Sequence, residues 1–190
     1  WSWGGSAFTS RSQSVGGAYL AVPGDFDGNG TDDVLWYGPG SAPDHLWLST
    51  GAGAHREVTI SVGGAYLPFV GDFDGDRTDD VFWYGPGTAA DRVWFGAAGG
   101  AFVGQSVAVN GTYQPMVADL DGDGRDDVVW YAPGPASDAW WRWSATRAIG
   151  PTELTADGSH QAIVGGFSTG GADGIFWYAP GASPDGVWWR

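Results

Sequence analysis

A 17-residue phrase, Gly24 to Gly40 (GDFDGNGTDDVLWYGPG), returns almost unchanged at Gly71 (GDFDGDRTDDVFWYGPG) and Ala118 (ADLDGDGRDDVVWYAPG), and in worn form at Gly165 (GGFSTGGADGIFWYAPG). The starts at 24, 71, 118 and 165 are spaced 47 residues apart each time, with no insertion or deletion. A strict period of that length means one supersecondary unit used four times, each unit unable to bury its apolar face without a neighbour.

Within one unit the sequence predicts four short strands. In the second copy, Ala65 to Val70 runs apolar into the acidic loop Asp72 to Asp80. Val81 to Tyr84 is β-branched and aromatic, and Gly85-Pro86-Gly87 ends it with a turn. Asp91 to Gly96 gives a third strand and Phe102 to Val109 a fourth, before Asn110-Gly111 turns the chain again. Four strands in about 47 residues is the size of one β-propeller blade. The 34 glycines and 11 prolines follow the repeat and do not cluster in one tract, which fits many tight turns in an all-β domain.

The ends predict how such a ring closes. The last copy stops at its third strand, Val187-Trp188-Trp189-Arg190, while Trp3 to Val15 aligns in register with Thr50 to Val62, the fourth-strand region of the first full copy. The expectation is a single domain over residues 1–190, a four-bladed β-propeller of four-stranded blades. Residues 1–23 complete the last blade and start the first. Exchange of these end strands between two chains is the discrete alternative, and a monomer is preferred.

Composition narrows the partners. A formal charge of −14 opposes nucleic acid and anionic membrane, and favours a bound cation. With no cysteine, disulfides and thiol chemistry are excluded, and no run of about 18 apolar residues predicts a bilayer span. The opening WSWGG has no charged stretch followed by an apolar one, so any signal peptide is expected to have been removed or never included.

The acidic loops carry the chemistry. Asp25, Asp27, Asn29 and Asp33 place side-chain oxygens at loop positions 1, 3, 5 and 9, and position 7, Thr31, offers a backbone carbonyl. The second loop offers Asp72, Asp74, Asp76, the carbonyl of Thr78, and Asp80; the third Asp119, Asp121, Asp123, the carbonyl of Arg125, and Asp127. Alternation of this kind wraps six to eight oxygens around one hard, flexible cation, so Ca2+ is favoured over Mg2+. The fourth loop has Gly166, Ser168, Gly170 and Gly174 at those positions, so the expectation is three calcium ions per chain. Asp173 persists there at position 8, as do Asp44, Asp91, Asp138 and Asp185 elsewhere in the repeat, which assigns these residues to turns and backbone hydrogen bonds.

In the setting GDFDGNGTDDVLWY these loops resemble the FG-GAP/VCBS repeats of integrin α-subunit propellers and of secreted bacterial and fungal proteins. The resemblance covers all four units. It implies propeller blades, calcium between the first and second strands, and an extracellular location; some relatives are lectins that bind sugars between blades.

Aromatics that repeat in every copy, Trp36, Trp83, Trp130 and Trp177 among them, read as packing between blades. Non-repeating Trp3, Trp143 and Trp189, with Arg142, are the candidate ligand surface, because indole rings stack on sugar C–H faces while polar groups take hydroxyls. The three histidines are too scattered for a metal signature, and no free carboxylate pair suggests a glycosidase. The sequence therefore reads as a non-catalytic binding module for glycan or extracellular protein. A spacer domain of a larger secreted protein, or a carbohydrate-active enzyme, is the alternative.

Overall fold

The computed structural model describes residues 10–134, 136–156, 158–181 and 184–190, and its regular structure is entirely β. Sheet 1 comprises β1 (Leu20–Gly24), β2 (Asp33–Tyr37), β3 (Asp44–Gly51) and β4 (Ala54–Ile60); sheet 2 comprises β5 (Leu67–Gly71), β6 (Asp80–Tyr84), β7 (Asp91–Ala97) and β8 (Ala101–Val107). Sheet 3 contains β9 (Gln114–Ala118), β10 (Asp127–Tyr131), β11 (Asp138–Trp143) and β12 (Ile149–Leu154). Sheet 4 has β13 (Gln161–Gly165), β14 (Gly174–Tyr178) and β15 (Gly186–Trp188). Every sheet is an antiparallel meander in sequence order.

First strands of consecutive sheets lie side by side, β1 against β5, β5 against β9 and β9 against β13. Among the described residues β13 and β1 share no comparable contact, and no sheet closes on itself. Of the expected closing segment, Trp3 and the other residues up to 9 lie outside the described residues, and residues 10–15 form no strand. Where the first strands meet, side-chain space runs out: a Cβ on Gly71 would come within 2.7 Å of Val117 Cγ1.

Three apolar cores fill the three gaps between sheets. Leu35, Tyr37 and Leu46 of sheet 1 meet Val81 and Trp83 of sheet 2. Phe82, Tyr84 and Phe95 of sheet 2 meet Val128 and Trp130 of sheet 3. Val129, Tyr131 and Trp140 of sheet 3 meet Ile175 and Trp177 of sheet 4. The second strands of the inner sheets, β6 and β10, are buried on both faces, as a strand between two neighbours must be, whereas β2 alternates buried and half-buried because one face of sheet 1 has no preceding sheet among the described residues.

The repeating tyrosines bolt these interfaces. Tyr37 donates its hydroxyl to the carbonyl of Gly64 (2.9 Å) and accepts from Tyr66 N–H (2.9 Å), while its ring meets Trp83 edge-on at 5.0 Å. Tyr84 does the same to Gly111, Tyr113 and Trp130, and Tyr131 to Gly158, His160 and Trp177. His160 therefore keeps the backbone role of the tyrosines it replaces. The structural assignment of the third-strand aspartates holds too: Asp44 accepts from the N–H groups of Gly38 and Val62, Asp91 from Gly85 and Val109, and Asp138 from Ala132 and Ala156.

Candidate functional site

Each acidic loop connects the first and second strands of its sheet and folds around its position-1 carboxylate. Asp25 accepts from the N–H groups of Asn29 (3.0 Å) and Gly30 (2.7 Å); Asp72 accepts from Gly75, Asp76 and Arg77, and Asp119 from Gly122, Asp123 and Gly124. Position 9 opens the second strand and is buried. Asp33, Asp80 and Asp127 each take one N–H from position 2 of the loop, and Asp33 and Asp80 take another from the third strand, at Ser49 and Gly96.

This folding brings three carboxylates together per loop. Asp25, Asp27 and Asp33 have oxygens within 4.8 Å of one another, as do Asp72, Asp74 and Asp80, and Asp119, Asp121 and Asp127. Such crowding without a cation drives protons on. Burial, with the neighbouring carboxylates adding to it, raises Asp80 to about 8 and Asp127 to about 7, the latter against the nearby Trp140 indole N–H; Asp33 and Asp72 are raised for the same main reason. A buried Oδ1 on Asp27 and another on Asp121 have no hydrogen-bond partner. Orphaned oxygens beside two further carboxylates are a donor set that fits a hard divalent cation.

At position 5, the side chains of Asn29, Asp76 and Asp123 each accept from the N–H two residues on, at Thr31, Thr78 and Arg125, and the carboxylates of Asp76 and Asp123 lie outside the converging triads. Two arginines approach the loops. Arg125 pairs with Asp123 and donates to the Trp143 carbonyl at 3.0 Å. Arg147, from the β11–β12 turn, pairs with Asp74 at 2.7 Å and lies over the Phe95 ring at 4.2 Å. No motif announces Arg147, which sits 73 residues from its partner. The fourth loop lacks a cluster; Ser168 donates instead to the Arg190 carbonyl at 3.1 Å.

Position 8 ties neighbouring loops together. Asp79 N–H donates to the Asp25 carbonyl (2.8 Å) and the Asp79 carboxylate accepts from Asp25 N–H (2.7 Å); Asp126 does both to Asp72, and Asp173 N–H donates to the Asp119 carbonyl. Burial raises Asp79 and Asp126 as well.

The candidate ligand surface is corrected at one point. Trp143 is only 3% exposed, packed between Phe73 and Phe95 across the gap between sheets 2 and 3, so its ring is closed to solvent. Trp3 lies outside the described residues. Arg142 is tethered to Thr152 and lies over Trp140 at 5.0 Å. Trp189 is 62% exposed and helps line a cleft of about 180 Å³ between sheets 3 and 4, with Trp140, Trp188, Asp173, Leu120 and Arg190. The Arg190 guanidinium lies over Trp140 at 4.8 Å. Five of these six were not singled out as ligand residues: Trp188 recurs as a packing position, Asp173 reads as a turn, Leu120 is an ordinary loop apolar residue, and Trp140 and Arg190 belong to no motif.

A search of curated proteins finds no match to this chain. Among solved structures it is similar to an Agrocybe aegerita lectin described as specifically recognising non-reducing terminal N-acetylglucosamine, with a TM-score of 0.66 and 16% identity. The alignment covers 84% of this chain and 46% of the lectin, so it spans less than half the length of that protein. The likeness is one of fold. The model of the FG-GAP-like repeat matches residues 25–83 and 72–130, together more than half of the sequence and containing all three carboxylate triads. By this match and the loops it spans, the chain belongs to the FG-GAP-like repeat family.

Proposed function

We propose that this chain is a non-catalytic β-propeller module of a secreted protein, held by three calcium ions and binding glycan through the cleft between sheets 3 and 4. The observation that carries the binding assignment is that cleft: the exposed rings of Trp188 and Trp189 stand beside Asp173 and Arg190 in about 180 Å³, with the buried Trp140 forming part of the wall. Indole faces take the C–H surface of a sugar, and the carboxylate and guanidinium take its hydroxyls. The volume suits a terminal monosaccharide better than an internal stretch of chain.

Calcium would be held by Asp25, Asp27, Asn29, Asp33 and the Thr31 carbonyl, by Asp72, Asp74, Asp76, Asp80 and the Thr78 carbonyl, and by Asp119, Asp121, Asp123, Asp127 and the Arg125 carbonyl. The ion supplies the positive charge that lets these carboxylates stay ionised together. Sites so rich in protein oxygen leave little room for substrate, so the metal is structural. Extracellular calcium would keep them filled, which supports a secreted location. The two carboxylates raised furthest, Asp80 and Asp127, belong to these triads, which favours binding over catalysis.

Tryptophan fluorescence titration with N-acetylglucosamine, galactose and mannose, followed by a glycan array, tests the reading. Saturable binding lost in Trp189→Ala, with an unchanged circular dichroism spectrum, supports it. Binding to no glycan, or binding indifferent to Trp189→Ala, removes the cleft as the site.

A further inference from the structure

Among the described residues, the two end sheets carry the two halves of an interface that the chain builds three times between its consecutive sheets. Ile163, Phe167 and Tyr178 on the outer face of sheet 4 are 52%, 44% and 41% exposed. Their counterparts in earlier repeats belong to the cores or pack against them: Tyr37, Tyr84 and Tyr131 are all 0% exposed, Phe26 and Phe73 likewise, and Val22 is 5% exposed, while Phe69, Met116 and Leu120 are half-buried. On the opposite end, Val34 and Trp36 of sheet 1 are half-buried where Val81, Trp83, Val128 and Trp130 are fully enclosed.

The polar groups match as well. At each internal interface a tyrosine hydroxyl bridges a glycine carbonyl and the N–H two residues later, and paired glycines bridge backbone to backbone, as Gly87 does with Gly111. Sheet 4 presents Tyr178 and Gly181 in those registers, and the chain before sheet 1 presents Gly17 and Tyr19, with Gly17 already at φ +118° as Gly64 is at +91°. Asp32 stands where Asp79 and Asp126 reach across to the preceding loop, and Gly166 where Asp25 and Asp72 receive them. No hydrogen bond among the described residues joins Tyr178 to Gly17 or Tyr19, or Asp32 to Gly166.

Residues before sheet 1 already behave as the outer strand of a preceding sheet. Arg11 and Gln13 donate to the Gly53 carbonyl at the β3–β4 turn, just as Arg56 of sheet 1 donates to Gly99 and Gln105 of sheet 2 to the Arg147 carbonyl. Meanwhile, among the described residues, β15 pairs only with β14.

We infer that a second copy of this chain occupies both end faces, the Tyr178 face of each copy docking on the Trp36 face of the other to make a two-fold, eight-sheet ring. This rests on the propeller reading above. Among the described residues of one chain, β13 and β1 lack a contact comparable to that of every other consecutive pair of first strands. A head-to-tail interface repeated between two copies closes when each copy supplies half a turn, and then leaves no end face exposed. The segment aligned with the solved lectin is under half of that molecule, so two copies make a ring of comparable size.

Light scattering on the size-exclusion peak of the 190-residue chain in calcium tests this. The expected mass is twice the 19.9 kDa of one chain. Tyr178→Arg, which alters a side chain exposed in the single copy, should give the single-chain mass with unchanged circular dichroism and metal content. A wild-type mass of one chain across a hundredfold range of concentration, or a Tyr178→Arg variant that stays paired, overturns the inference. Hydrogen exchange adds an independent reading: the Tyr19 amide should be protected in the pair and exposed in the variant, and protection in a single-chain species would mean the ring closes on itself, also overturning it. Sugar binding and metal content measured on the same fractions separate its failure from that of the functional reading.

Discussion

Tyr84 and Gly111 belong to different repeats, yet the Tyr84 hydroxyl donates to the Gly111 carbonyl at 2.9 Å and, on its other side, receives the Tyr113 N–H at 2.9 Å. One oxygen thus satisfies two backbone groups of the next repeat inside a fully enclosed aromatic contact with Trp130. Tyr84→Phe keeps the ring but strands the Tyr113 N–H and leaves the Gly111 carbonyl with the Gly87 N–H alone, so it should destabilise the calcium-loaded protein by about 2 kcal/mol. Urea unfolding at fixed calcium measures this, and a loss within experimental error of zero would mean the hydroxyl is not the bolt.

Removing calcium should reverse the dependence of stability on pH. Without the ion, Asp80 titrates at about 8 and Asp127 at about 7, far above an unfolded carboxylate. Between pH about 4 and 8 the folded state then holds protons that the unfolded chain has released, so stability falls as pH rises through that window. With calcium bound the carboxylates stay ionised and the fall disappears, each site adding about 2.7 kcal/mol when calcium exceeds its Kd a hundredfold. Thermal melts at pH 5 and pH 8, in EDTA and in calcium, report this directly; a Tm in EDTA that climbs from pH 5 to pH 8 contradicts it.

Arg77 occupies a left-handed backbone position, φ 72°, where the other two loops have Gly30 at 84° and Gly124 at 81°. That conformation costs a residue with a Cβ about 1–2 kcal/mol, partly offset by the greater freedom glycine loses on folding. Arg77→Gly should stabilise the protein by about 0.5–1 kcal/mol and leave three ions bound, as judged by melting and by elemental analysis.

Neighbouring metal loops should communicate through position 8. Asp126 holds both the N–H and the carbonyl of Asp72, a member of the second triad. Asp126→Ala removes the carboxylate partner and should weaken one of the three calcium sites by about tenfold, a cost on the order of 1.4 kcal/mol, while Asp126→Asn, which keeps an accepting oxygen, should recover most of it. Calorimetric titration resolves the difference, and three unaltered sites in Asp126→Ala would show that the loops are independent.

The strands and the loops were legible because they are local. Val81 to Tyr84, ended by Gly-Pro-Gly, is β6 with one residue added at Asp80, and the convergence of positions 1, 3 and 9 follows from a loop that must wrap its own first carboxylate. What lay between repeats was legible where it recurs, as for Trp83, Trp130 and Trp177, and not where it does not. Trp143 replaces Ser49 and Gly96 in register and so looked like a surface addition, but the space it fills belongs to Phe73 and Phe95 of the previous sheet. The pairing of Arg147 with Asp74 is hidden for the same reason, since a period reports what each unit contains and not which side chains its neighbour leaves room for.

Almost every bond that crosses from one sheet to the next is drawn from the same few positions of the same phrase, whether Asp79 to Asp25, Asp126 to Asp72 or Asp173 to Asp119. Tandem duplication of 47 residues, or deletion of 47, therefore inherits a working joint at both cut points. Lineages carrying this module can change the number of units in a single genetic event without inventing a contact, and a laboratory can lengthen or shorten it the same way.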